Sequence, residues 1–232
     1  ARRSLGTRMI KAAFIVQMRL DSSRLPRKAL LPLGDTVLAS FVMRRLKLIH
    51  AFCHVLACDE GSERELAPYA KREGFSVFAG PKDDVLYRYI LAAREVGADT
   101  VLRATGDNPL VSVELALRLL EETDGKTDYA AFVGMPKGMG VELVKLSALE
   151  AAHESTRESF YREHVCPFIY ERPERFLVRR AEAPLHYRIP EASVTVDTEA
   201  DYLHVRNVLE ACGADLSDAA ILSALKTERE GD

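Results

Sequence analysis

The sequence lacks any apolar run near the ~20 residues that a membrane helix needs. No segment therefore reads as a membrane span. Cysteine is sparse, with Cys53, Cys58, Cys166 and Cys212 only. None forms a C-x-x-C pair or has a histidine at zinc-site spacing, so neither a zinc ribbon nor a disulfide framework is indicated. They read as small buried hydrophobes in a reducing cytoplasm, which is the expected location. There is no Walker P-loop and no G-x-G-x-x-G following a strand pattern, so neither a P-loop ATPase nor a dinucleotide dehydrogenase is supported. Charge of one sign is also missing. With 32 Lys and Arg against 35 Asp and Glu, the net charge of -3 gives no field for nucleic acid, and no such partner is expected.

The 232 residues are 47% hydrophobic and 29% charged, enough for one sizeable α/β core with ample polar surface. Residues 1–11 read as a flexible start. Ala1 to Arg8 is basic with no signal-peptide core behind it, and Met9 reads as a native start after a vector remnant. One domain is expected over 12–232, since no linker, repeat or low-complexity segment interrupts it. AAFIVQM (12–18) predicts a buried parallel strand, and a polar loop follows from Arg19 to Pro32. Helical spacing then runs from Val37 to Ile49. HVLACD (54–59), Phe75–Phe78 and Thr100–Ala104 predict further strands. Helices at 62–73, 83–96 and 111–122 alternate with them.

Four β-α units of this kind predict a single doubly wound, mostly parallel sheet with ligands outside the strands' carboxyl ends. The second half is more elaborate. Strands are expected at 129–133 and 141–146 around a Gly-rich turn, then a helix over 159–170 and a strand over 176–183. A last short strand is expected to end at Asp197, before a helix from Glu199 to Cys212.

Two places in this pattern carry chemistry. The first β-α loop, Arg19-Leu20-Asp21-Ser22-Ser23-Arg24-Leu25-Pro26-Arg27-Lys28, puts four cations and two hydroxyls just past a buried strand. Forked arginine donors and a lysine point charge suit phosphates there, although a solvated basic loop has the same composition. The second is Thr105-Gly106-Asp107-Asn108-Pro109-Leu110, whose tight turn leaves Asp107 at the ligand edge of the sheet. Asp197 also ends an apolar segment. Carboxylates so placed suit Mg²⁺, a hard ion that shares its coordination with phosphate and water. The competing reading is an Asx turn or a helix cap at each.

Six blocks occur in the order found in one family: VQMRLDSSRLPRK, VFAGPKDDVLYRY, RATGDNPL, PKGMGVE, REHVCPFIY and VTVDTEAD. Across about residues 12–210 the chain resembles the spore-coat polysaccharide cytidylyltransferases, relatives of the CMP-deoxyoctulosonate and acylneuraminate cytidylyltransferases. The resemblance implies a nucleotide-diphospho-sugar transferase fold, CTP and Mg²⁺ as ligands, a sugar-type acceptor and release of pyrophosphate. By position it puts Arg19, Ser22, Arg24 and Lys28 on the CTP phosphates, with Arg19, Lys28 and Asp107 catalytic. Gly80 and Asp84 fall near the nucleoside. Asp107 and Asp197 become metal ligands, and Glu142, Arg162, Glu163 and His164 face the acceptor. A homodimer is also implied, in keeping with an irregular stretch from Tyr129 to Pro190 that exceeds what closing the core requires.

The chain departs from the family at Asp21 and Arg27, where glycine is usual, and at Tyr87 and Gly140, where acidic groups are usual. Two rivals stay open. One is a glycosyltransferase on the same fold, although no D-x-D pair lies at a strand end. The other is a catalytically weak nucleotide-binding protein, kept alive by Asp21, Tyr87 and Gly140.

Overall fold

The structure is a computed structural model describing residues 11–189 and 191–230. The expected vector remnant and the Met9 start lie outside the described residues. The strands are β1 (Ala12–Met18), β2 (Pro32–Leu33), β3 (Thr36–Val37), β4 (Cys53–Asp59), β5 (Ser76–Gly80), β6 (Thr100–Thr105), β7 (Tyr129–Val133), β8 (Glu142–Lys145) and β9 (Val178–Glu182). The helices are α1 (Leu38–Leu46), α2 (Glu60–Arg72), α3 (Val85–Glu95), α4 (Val113–Glu122), α5 (Leu146–Ser155), α6 (Ser159–His164), α7 (Pro167–Tyr170), α8 (Glu199–Cys212) and α9 (Asp218–Glu230).

Seven strands form one sheet in the order β5-β4-β1-β6-β8-β7-β9. Pairing is parallel from β5 through β6 and again between β7 and β9, and β8 alone runs against its neighbours. β1 lies at the centre, and its side chains alternate between two cores. Phe14, Val16 and Met18 face one, while Ala13 and Ile15 face the other. Helices cover both faces, so every residue from Ala12 to Val16 is buried, as a central parallel strand requires. The chain winds outward from β1 through β4 to β5, then returns to place β6 on the other side of β1. The strand order therefore reverses between β1 and β6, and a crevice opens beyond their carboxyl ends. Among the described residues no helix is long and apolar enough to cross a membrane.

Three expectations need correction. The helix expected over 159–170 is two short ones. Val165 turns to φ 73, and Pro167 starts α7 at its first position. A continuous helix would drive the proline ring into the preceding turn's carbonyl, so the break is local chemistry. The strand expected to end at Asp197 is an extended segment outside the sheet. Its Val194 N–H donates to the Lys137 carbonyl (2.8 Å) and its Val196 N–H to the Asp107 carbonyl (2.8 Å). Finally, the polar loop after β1 ends in a 3-10 turn over Lys28–Leu30 and leads into the small β2–β3 hairpin.

Candidate active site

The loop after β1 is folded on itself. The Arg27 N–H donates to the Leu20 carbonyl (2.9 Å). The Leu20 N–H donates to Ser62 Oγ (2.9 Å), and that hydroxyl in turn donates to Asp59 (2.7 Å). Closing the loop forces Arg27 to φ 58, the left-handed region that favours glycine. Its side chain leaves the site and forks onto Glu65 of α2. Arg27→Gly should therefore leave the melting temperature near its starting value, because relief of backbone strain offsets the lost ion pair and the freer unfolded chain. Arg27→Val keeps the strain, adds β-branching and loses the pair, and should melt about 2–4 °C lower. A valine variant as stable as wild type in a calorimetric scan would show that the loop relaxes out of this conformation.

Asp21 does not enter the cleft. It binds Lys82 and lies 3.8 Å from Arg19. The hydrogen bond from Lys82 holds its carboxyl below the usual aspartate range. Eight of the residues singled out in the sequence line one cleft of about 360 Å³ at the β1–β6 crevice: Arg19, Ser22, Arg24, Lys28, Asp107, Glu163, His164 and Asp197. In its wall the Lys28 ammonium lies 3.3 Å from Asp107 Oδ2, 3.1 Å from Asp197 Oδ1 and 2.6 Å from the Val196 carbonyl. Arg24 Nη2 lies 3.0 Å from Asp197 Oδ1, and Arg19 Nη2 reaches Glu163 at 3.5 Å. Two carboxylates from distant parts of the chain thus converge on one amine.

Neither aspartate is spent as a helix cap. Ser112 caps α4 by accepting from the Leu115 N–H (3.0 Å), and Thr198 with Asp201 forms a capping box on α8. Asp107 Oδ1 accepts from Thr105 Oγ1 (2.5 Å), which orients the other oxygen towards Lys28. Gly138 lets this wall close. A Cβ there would meet Thr195 Oγ1 at 2.7 Å and Asn108 Oδ1 at 3.1 Å. Both of those atoms are buried without a hydrogen-bond partner, beside the two carboxylates. Among the described residues no set of three or more His, Cys, Asp and Glu side chains forms a metal cage. A pair of carboxylates with neighbouring neutral oxygens fits Mg²⁺, which keeps several waters and shares phosphate oxygens.

Gly80, Asp84 and Arg162 do not line this cleft. Gly80 ends β5 against Phe78 and Arg88. Asp84 caps α3 through the Tyr87 N–H (2.9 Å) and accepts from Arg162 Nη1 (2.8 Å), with His153 Nε2 at 3.0 Å. Arg162 is buried and also holds the carbonyls of His153 and Thr156. This cluster ties α3, α5 and α6 together behind the site, and α6 in turn presents Glu163 and His164 to it.

Glu142 lines a second cavity, of about 420 Å³. Arg103, Thr105, Asn108, Lys137 and Gly138 border both cavities, so the two adjoin. Arg103 and the Tyr129 hydroxyl (2.7 Å) both donate to Glu142. Burial opposes the Arg103 charge, but the Glu142 carboxylate, Tyr89 and Cys166 together outweigh burial and raise the arginine's pKa. Burial and the same carboxylate raise that of Tyr129.

Arg88, Arg103 and Lys137 complete the cationic lining, and the sequence alone gives them no role. Lys137 was visible within the Gly-rich block. Arg103 carried a signal in its place near the carboxyl end of β6. Arg88 lies on α3, where helical periodicity marks it only as part of a buried face. All four cysteines are free thiols; Cys58 and Cys166 are buried, and burial pushes the Cys58 pKa up to about 12.

The family model for cytidylyltransferases matches residues 13–214. The chain is 30% identical to the spore coat polysaccharide biosynthesis protein SpsF of Bacillus subtilis, over 94% of this chain and 98% of that protein. A solved cytidylyltransferase from Leptospira borgpetersenii superposes with a TM-score of 0.88 at 27% identity, over 95% of this chain and 96% of that one. The CMP:2-keto-3-deoxy-manno-octonic acid synthetase, solved with CTP, shares the fold at a TM-score of 0.66 and 16% identity, over 86% of this chain and 98% of that one. The chain is a nucleotidyltransferase that belongs to the cytidylyltransferase family.

Proposed function

We propose that the protein transfers CMP from CTP to a sugar-type acceptor and releases pyrophosphate, in the synthesis of a surface polysaccharide or related glycan. One observation carries this: the loop cations and the Asp107 and Asp197 carboxylates meet in one cleft, and that cleft adjoins a second cavity of sugar size. The triphosphate lies against Arg19, Ser22, Arg24 and Lys28, and the acceptor lies beyond it towards Glu142, Glu163 and His164. An acceptor oxygen attacks the α-phosphorus in line, and pyrophosphate leaves towards the loop. Arg19, Arg24 and Lys28 stabilise the charge that develops on the leaving oxygens. Asp107 and Asp197 would hold Mg²⁺, which supplies polarisation of the α-phosphate when bound. No covalent nucleophile is required.

The relatives support this reading: SpsF is named for spore coat polysaccharide biosynthesis, and the octonic acid synthetase was solved with CTP. The test is pyrophosphate release from CTP with a panel of sugar and keto-acid-sugar acceptors. Release that requires one acceptor and a divalent ion is expected, and no release with any acceptor would count against transfer. With Mg²⁺ present, Lys28→Ala should weaken CTP binding about tenfold, the size of one lost charge-assisted contact. Unchanged affinity by calorimetry would remove the loop from the nucleotide site.

A further inference from the structure

We propose that Lys28 and the divalent metal exchange on one pair of carboxylates, so that metal and triphosphate bind as a coupled unit. This rests on the nucleotidyl-transfer reading above and adds to it a rule of assembly. The Lys28 ammonium has three protons and three acceptors: Asp107 Oδ2, Asp197 Oδ1 and the Val196 carbonyl. It is therefore saturated, and its side chain is only 15% exposed. Arg24 shares the same oxygen of Asp197, and Lys137 lies 3.9 Å from the other.

A divalent ion on these carboxylates at about 2.1 Å would stand within about 5.5 Å of the ammonium. Repulsion at that range is strong in a partly enclosed cleft, so ion and ammonium do not share the pair. Each ligand alone meets an obstacle. The metal alone must expel Lys28 with no anion to receive it. The triphosphate alone must draw Lys28 off the carboxylates and leave two uncovered negative charges beside its own. A metal–triphosphate chelate removes both obstacles at once, since its cation takes the carboxylates while a phosphate oxygen takes the ammonium. By linkage, each ligand then tightens the other by the same factor.

The experiment uses Mn²⁺ as probe, its free concentration read by electron paramagnetic resonance, with wild type, Lys28→Met and Lys28→Gln. Without nucleotide, both variants should bind Mn²⁺ at least about tenfold more tightly than wild type. Adding Asp107→Asn to either variant should abolish the gain. CTP should tighten Mn²⁺ binding about tenfold or more in wild type and much less in the variants. Circular dichroism shows which variants are folded, and either one suffices. If a folded variant binds Mn²⁺ no more tightly than wild type, the exchange is wrong. If ATP or GTP couples to Mn²⁺ while CTP does not, and the variants keep their gain, the exchange stands and CTP is the wrong nucleotide.

Discussion

Asp218→Ala is expected to destabilise the protein by about 3–5 kcal/mol, read from urea unfolding, because it leaves a buried cation without its counter-charge. Asp218 is buried in the first turn of α9. It accepts from Arg45 Nη2 (3.0 Å), the Tyr187 hydroxyl (2.8 Å) and the Ser112 hydroxyl. Arg45 of α1 is itself buried, and its Nε and Nη1 hold the carbonyls of Val111 (2.5 Å) and Leu216 (2.8 Å). Burial lowers the Arg45 pKa, so the site already opposes the charge. Without the carboxylate, Arg45 loses its counter-charge and the Ser112 hydroxyl its acceptor, while the Tyr187 hydroxyl keeps only Glu114 (3.1 Å).

Asp218→Asn keeps an acceptor oxygen and should cost less, about 1–3 kcal/mol. The double variant Arg45→Met with Asp218→Ala should lose less than the sum of the single losses, because no lone charge stays buried. A loss under about 1 kcal/mol for Asp218→Ala would mean that water enters and solvates Arg45. The network also bears on the site. Ser112 caps α4 directly after the Asp107 loop, and its N–H donates to the Met139 carbonyl in the Gly-rich turn (2.8 Å).

The parallel half of the fold was legible because its signals are local. Ala12–Met18 is apolar but for Gln17, which a strand covered on both faces requires, and Leu38, Val42 and Leu46 repeat at helical spacing. The hairpin at Pro32–Val37 was not legible, since two-residue strands leave no periodicity to read. The Asp197 segment was misread for a related reason. Val194 and Val196 are buried like strand residues, but their backbone partners are the loops at Lys137 and Asp107.

In the site, charge type and place after a strand point to Lys28 and Asp107, and the structure puts both in the cleft. Position in a motif did not reveal direction. Arg162 and Glu163 are adjacent, yet the helix turns Arg162 inward to Asp84 and Glu163 outward to Arg19. No pattern of spacing distinguishes those two directions without the packing of α3 and α5 behind them.

Asp107→Asn should lower turnover by about 10² or more, since a bound divalent ion supplies several kcal/mol of transition-state stabilisation. The measurement is pyrophosphate release at saturating CTP and acceptor. The substitution keeps size and hydrogen-bonding shape. Asp107 Oδ1 accepts from Thr105, a role the amide oxygen can keep, and Ser112 rather than Asp107 caps α4. The urea midpoint should therefore move little. Asp197→Asn should behave alike, because Thr198 and Asp201 cap α8 without it. The two aspartates are 90 positions apart in sequence, yet both lie within 3.3 Å of the Lys28 ammonium, close enough for one ion to replace it. If they serve one ion, the first substitution removes most of its binding. The double variant should then fall little below either single one, far from the product of the two losses. Multiplicative losses would mean separate roles for the two carboxylates. Turnover within threefold of wild type for either single variant would remove that residue from the metal site.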